Sequence, residues 1–133
     1  FVNGHQNRKA PCTVLTFKAS GKKDFGRIIR NEVGDFIKIT EHNDASEHEK
    51  KVDEYNSGVY CFNKSLFYSA LGSIRNNNIQ KEYYLTDTIE YIVKIGFTVE
   101  TFQTTDTVQF LGVNSREDLQ LAERILTKQT GSA

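Results

Sequence analysis

Between Asn76 and Asp87 the chain sets amides, phenols, a hydroxyl and carboxylates side by side, directly ahead of an apolar helical pattern. A segment that only had to start a helix would place one or two capping residues there. Gln80, Glu82, Tyr83, Tyr84, Thr86 and Asp87 together offer the mixture of donors and acceptors that a hydroxyl-rich ligand requires. Three other polar clusters fall at breaks between apolar runs: residues 24–28, residues 41–45 with 54–58, and residues 111–118. Such clusters, repeated along one small chain, point to loops arranged around a ligand.

Each candidate has a plain reading beside the chemical one. Gly26 is a glycine at the start of a strand, or a bare backbone that a ligand can touch. Glu41 is a solvated strand end, or a carboxylate that accepts charge-assisted bonds from sugar hydroxyls. Asn56, followed by Ser57 and Gly58, reads as a turn, yet its amide suits a hydroxyl or an acetamido group. Asn114 caps the last helix, or lends an amide oxygen to magnesium, a hard cation that takes oxygen ligands. Tyr84 and Thr86 pack and cap, or line a pocket in which a phenol shows both an apolar face and a polar tip. His42 with Asp44 is too little for a metal site. Phosphate-loop, dinucleotide, zinc-protease, hydrolase-elbow and zinc-ribbon motifs are missing from the sequence.

The elements that must position these residues alternate in type. Residues 12–17 read as a strand after Pro11, residues 26–31 and 36–41 as a tight hairpin, and residues 55–62 as a strand apolar enough to be central. Residues 42–54 read as a solvated loop or a short helical turn. Asn63 caps a helix whose apolar positions are Phe67, Ala70, Leu71 and Ile74. A second helix runs from about Thr86 to Lys94, lined by Leu85, Ile89, Ile92 and Val93, with Gly96 at its left-handed end. Residues 97–102 alternate as a strand. The last helix starts after Ser115 with Asp118 in a capping-box pair and buries Leu119, Ala122, Ile125 and Leu126. Residues 1–11 read as an irregular lead-in and 127–133 as a frayed tail. Strands interleaved with helices predict an α/β layered domain with a mixed sheet.

Lys plus Arg equals Asp plus Glu at 17 each, so the chain lacks the broad basic field used to bind nucleic acid. No apolar run approaches a bilayer span and no signal-peptide pattern opens the chain, so no membrane partner and a cytoplasmic location are expected. Cys12 and Cys61 lie in strand-like runs and are expected as buried, reduced thiols. Phe1 stands where a methionine would begin a chain, and the start reads as a cut through a larger protein.

Taken in order, the clusters resemble those of the sugar-nucleotide pyrophosphorylases, most nearly the uridylyltransferase domain of the bifunctional N-acetylglucosamine-1-phosphate uridylyltransferases. Gly26-Arg27-Ile28 matches that family's Gly-Arg-Ile strand, and residues 41–45 its Glu-His-Lys-Asp-Ala run. Asn56-Ser57-Gly58 matches its Asn-Thr-Gly, residues 80–87 its Gln-Gly-Glu-Tyr-Tyr leading to Leu-Thr-Asp, and Gly112-Val113-Asn114 its Gly-Val-Asn. The likeness runs from about Thr13 to Leu126. It departs at Asn43, where the family has lysine, and at Lys81, where it has glycine. The family's glycine-rich Leu-x-x-Gly-x-Gly-Thr-x-Met phosphate loop, its Gly-Asp strand end and the hexapeptide repeats of the acetyltransferase domain do not occur in this sequence.

The resemblance therefore implies the second half of a Rossmann-like nucleotide-diphospho-sugar transferase domain, the half that shapes the sugar pocket, with the N-terminal half supplied elsewhere. It implies formation of UDP-N-acetylglucosamine from UTP and N-acetylglucosamine 1-phosphate. Gly26, Glu41 and Asn56 would contact the sugar, with Tyr84 and Thr86 beside them. Asn114 would contact the nucleotide sugar and ligate Mg2+, and the full-length protein could form oligomers. No residue of this half is expected to act as a catalytic nucleophile or base. Another hexose-1-phosphate nucleotidylyltransferase, or a non-catalytic regulatory relative of the same fold, is the alternative reading.

Overall fold

A computed structural model describes residues 1–19, 25–105, 110 and 115–130. The elements run α1 (Val2–Arg8), β1 (Cys12–Lys18), β2 (Arg27–Arg30), β3 (Phe36–Thr40), a 3-10 turn (Glu49–Lys51), β4 (Glu54–Phe62), α2 (Lys64–Leu71), α3 (Thr86–Lys94), β5 (Val99–Thr104) and α4 (Arg116–Thr130). The strands form one five-stranded sheet in the order β3-β2-β4-β1-β5. β2 and β3 are the expected hairpin, β4 runs antiparallel to β1 and β2, and β5 lies parallel to β1. The α/β class with a mixed sheet is thus what the alternation of elements predicts.

One face of the sheet carries the core. Cys12 and Val14 of β1, Ile28 of β2, Phe36 and Ile39 of β3 and Val99 of β5 pack under Ala70 of α2 and Ile89 and Ile92 of α3. Each of the valine, isoleucine and phenylalanine side chains contributes about 1.5–3 kcal/mol by leaving water. The spacing of Ile89 and Ile92 turns both toward the strands, and Gly96, at φ +92, ends α3 in a conformation that costs glycine little. Asn63 caps α2 as expected, its side chain accepting from the Leu66 N–H at 3.1 Å. The Ser115 hydroxyl and Asp118 carboxylate close the reciprocal box at the start of α4.

The opposite face differs from the sequence expectation. Residues 1–11 are not an irregular lead-in, because Val2–Arg8 form α1. That segment is polar and has no apolar period, so contacts distant in sequence hold it in place. His5 Nδ1 lies 2.8 Å from Thr13 Oγ1, Arg8 donates to Glu100 at 3.1 Å, and Phe1 meets Phe102 edge-on. Gly4 packs so tightly on Phe102 that a Cβ there would sit 2.9 Å from the ring. Further along the same face Phe17 stacks on Tyr55 and on Phe110.

Other boundaries shift. α2 ends at Leu71, so Ile74 lies outside it. β5 begins at Val99, and Phe97 is 48% exposed. In α4, Leu119 and Leu126 are exposed, contrary to their expected burial. Cys12 is buried and Cys61 only half-buried, and both are free thiols. Burial pushes the Cys12 thiol up to about 12, with Cys61 adding to it. No helix among the described residues is long and apolar enough to cross a membrane.

β4 has two local features that matter for the site. Its register with β1 jumps from Val14↔Tyr60 to Thr16↔Asn56, so Leu15 of β1 faces a bulge of Ser57, Gly58 and Val59. Gly58, at φ +81, allows the reversal. Toward β2, β4 pairs at Tyr55 alone, and among the described residues no strand pairs with that edge from Ser57 onward.

Candidate functional site

Four of the six sequence-predicted residues meet at one place, where the start of β2, the end of β3, the first half of β4 and the start of α3 converge. The Gly26 carbonyl accepts from the Asn56 N–H at 2.9 Å. The bare α-carbon of Gly26 faces Ile39 and the Glu41 carboxylate, whose oxygens would lie 3.2 and 3.3 Å from an added Cβ. Thr86 Oγ1 donates to Glu41 Oε1 at 3.1 Å. Thr86 therefore does not cap α3; it reaches across to the carboxylate, and the N-cap position is Leu85, which makes no side-chain cap. Asn56 is buried, and its side chain is engaged on both atoms: Oδ1 accepts from the Gly58 N–H and Nδ2 donates to the Tyr60 hydroxyl at 2.7 Å.

Tyr84 stands beside this group. A cavity of about 510 Å³ opens between β3, residues 73–78 and α3, and Glu41, Asp44, Tyr84, Asp87, Lys38 and Tyr91 line it. Asp44 ties the polar segment down, its Oδ1 accepting from the Ile79 N–H at 2.9 Å. The Tyr84 hydroxyl donates to Gln80 Oε1 at 2.7 Å. Lys81 holds φ +57, the left-handed conformation a glycine adopts freely. A side chain there costs on the order of 1 kcal/mol of backbone strain. The seat of Asn114 lies outside the described residues.

The cavity mixes carboxylates, Glu41, Asp44, Asp87 and Glu90, with the cations Lys38, Arg75 and Lys94. Burial pushes the Glu41 carboxyl above its usual range, Asp44 and Asp87 add to the shift, and the Thr86 bond and Arg27 oppose it. Burial likewise raises Asp87, helped by Glu90. Tyr84 is pushed up to about 12 by burial, by Asp44 and by the neighbouring Glu82 and Glu41, and so stays protonated. Carboxylates that repel one another across a cavity are relieved by hydroxyl donors, which satisfy their lone pairs without adding charge. Among the described residues no group of three or more His, Cys, Asp or Glu side chains could hold a metal ion.

No family model matches the chain. The bifunctional protein GlmU of Bacillus licheniformis is 45% identical over 119 residues, 90% of this chain and 26% of that protein. GlmU of Clostridioides difficile is 42% identical over 125 residues, 94% of this chain and 27% of that protein. A crystal structure of a nucleoside-diphosphate-sugar pyrophosphorylase from Vibrio cholerae superposes with a TM-score of 0.67 at 15% identity, over 90% of this chain and 48% of that one. Over about nine tenths of its length the chain is thus similar in sequence to part of the GlmU proteins, and in fold to the pyrophosphorylase. It spans about a quarter of the length of these GlmU relatives and about half of the pyrophosphorylase. The mixed sheet flanked by helices is that of the nucleotide-diphospho-sugar transferase fold.

Sequence reasoning did not foresee two contacts at this place, the Asn56–Tyr60 bond and the anchoring role of Asp44. The Asp44 bond joins segments 35 positions apart, and nothing local announces it. Tyr60 was hidden by strand alternation; the available signal was Gly58, since a glycine inside a strand pattern marks a bulge that re-aims its neighbours.

Proposed function

We propose that this chain is the sugar-binding half of a nucleotidyltransferase domain that forms UDP-N-acetylglucosamine from UTP and N-acetylglucosamine 1-phosphate. The observation that carries the reading is the meeting of Gly26, Glu41, Asn56 and Thr86, drawn from four elements, around one partly buried carboxylate. GlmU relatives at 42–45% identity give the reaction class its support.

In this reading a phosphate oxygen of the sugar phosphate attacks the α-phosphorus of UTP in line. One O–P bond forms, the bond to the β-phosphate oxygen breaks, and pyrophosphate leaves. No protein nucleophile is needed; catalysis lies in positioning the two anions and neutralising their charge. Glu41 accepts from sugar hydroxyls, and Thr86 holds that carboxylate in place. The cavity wall bearing Tyr84 and Asp44 excludes water from one side of the ring. Magnesium, when bound, would neutralise phosphate charge, and Asn114 is the residue of this chain that would hold it. The triphosphate cradle belongs to the other half of the domain, so the 133-residue chain alone carries out little or no transfer.

Calorimetric titration of UDP-N-acetylglucosamine with magnesium into the protein as the cell makes it, and into its Glu41→Ala variant, tests the pocket. Wild type should bind, with affinity falling at least tenfold in the variant. Equal affinity would remove Glu41 from the site. Vigorous UDP-N-acetylglucosamine synthesis by the 133-residue chain alone would contradict the half-domain assignment, and a preference for another hexose 1-phosphate would move the reading to a sister activity.

A further inference from the structure

We propose that Tyr60, aimed by the β4 bulge and oriented by Asn56, donates its hydroxyl proton to the carbonyl of the sugar's 2-acetamido group and so sets the preference for an N-acetylated sugar. The inference rests on the function proposed above and deepens it.

In a regular strand the side chains of residues i and i+4 stand roughly 13 Å apart. Here Asn56 Nδ2 and the Tyr60 oxygen are 2.7 Å apart, because Ser57, Gly58 and Val59 are thrown out opposite the single residue Leu15. The bulge therefore places a phenol beside an amide that the sheet would otherwise keep distant. Bulges next to binding sites commonly serve to re-aim a side chain in this way.

The bond has a direction. The Asn56 amide donates and the Tyr60 oxygen accepts, which leaves the phenolic proton directed elsewhere. Burial, aided by Glu41 and opposed by the Asn56 bond, pushes Tyr60 up to about 12, so that proton is present at all physiological pH values. Among the described residues no acceptor for it is found.

Glu41 is the carboxylate that acts on Tyr60, and the cavity beyond it carries further carboxylates together with the cations Lys38, Arg75 and Lys94. Glu41, Asp44 and Asp87 bring acceptors to the site, which hydroxyl groups can satisfy. An acetamido carbonyl is itself an acceptor and needs a donor. Tyr60 offers one at the rim of an apolar ring, matching the carbonyl and adjoining methyl of the acetamido group. The ring is fixed by packing on the sheet core and by Phe62, 5.8 Å away. A rigid donor discriminates better than a mobile one, because a sugar lacking the acceptor leaves it unpaired.

The test compares dissociation constants of UDP-N-acetylglucosamine and UDP-glucose, by calorimetry with magnesium, for wild type and Tyr60→Phe in the protein as the cell makes it. Phenylalanine keeps the ring and its packing while removing the hydroxyl. The expected result is about tenfold weaker binding of UDP-N-acetylglucosamine with less than a twofold change for UDP-glucose. Equal weakening of both ligands would assign Tyr60 a structural role and overturn the inference, as would no change in either. Should wild type bind neither nucleotide sugar, the function proposed above fails and this inference with it.

Discussion

The Thr86 hydroxyl donates to Glu41 Oε1 at 3.1 Å, joining the first turn of α3 to the residue that follows β3. The bond stabilises the fold and fixes the carboxylate on which the sugar reading depends. Thr86→Val keeps the shape and removes the donor, which should cost about 1–2 kcal/mol in denaturant unfolding. Thr86→Ser keeps the donor and should recover most of that loss. Valine and serine variants of equal stability would show that the bond contributes nothing.

Glu41 gives a pH dependence of defined sign. Its folded-state pKa is raised, so the folded chain holds the proton more tightly than the unfolded chain, whose ordinary value is 4.5. Its contribution to stability therefore becomes less favourable as pH rises from about 4.5 through the folded value, and remains a cost at neutral pH. Glu41→Gln should be more stable than wild type at pH 7.5, with the gap closing near pH 4.5, while losing nucleotide-sugar affinity. Urea melts at the two pH values, run beside a binding titration, check both halves of the prediction.

Glu49 has the opposite sign. Partial burial pushes its carboxyl up, but bonds from the Ser46 N–H and hydroxyl, Lys38 and Thr40 outweigh that and hold it at about 2. Its stabilising contribution is complete above about 4.5 and is lost as pH falls toward 2. Glu49→Gln should be less stable than wild type at neutral pH and lose less on acidification. Parallel acid titrations followed by circular dichroism would show an unchanged midpoint if the carboxylate were idle.

Gly26 is sterically required. An alanine Cβ would lie 2.8 Å from Ile39 Cγ2 and press on the Glu41 carboxylate. Gly26→Ala should cost about 1–3 kcal/mol of stability and displace Glu41, lowering affinity for the nucleotide sugar. A variant that melts and binds like wild type would show that the neighbourhood yields freely.

Much of this arrangement was legible in the residues. The spacing of Ile89 and Ile92 together with Gly96 located α3, and Asn63 and the Ser115–Asp118 pair located two helix starts, because these signals act within one or two turns. The hairpin of β2 and β3 followed from short alternating runs. α1 was not legible, since its residues have no apolar face and depend on Phe102 and Thr13 for their place. The ends of α4's apolar stripe misled for a related reason: amphipathic spacing says which face could be covered and leaves open what covers it. Residue types singled out Glu41 and Asn56 as candidates, and only the bulge shows that Asn56 is bound to Tyr60. A period of two presumes regular pairing, and Gly58 breaks it.

The one-sided ladder of β4 has a practical consequence. From Ser57 to Phe62 the strand carries no charged residue and no proline, and Val59 is 41% exposed. Such a margin is a template on which another backbone can zip. When the 133-residue chain is prepared by itself, crowding in the tube rather than warming should govern how long it stays monodisperse, and a lysine introduced at Val59 should lengthen that time.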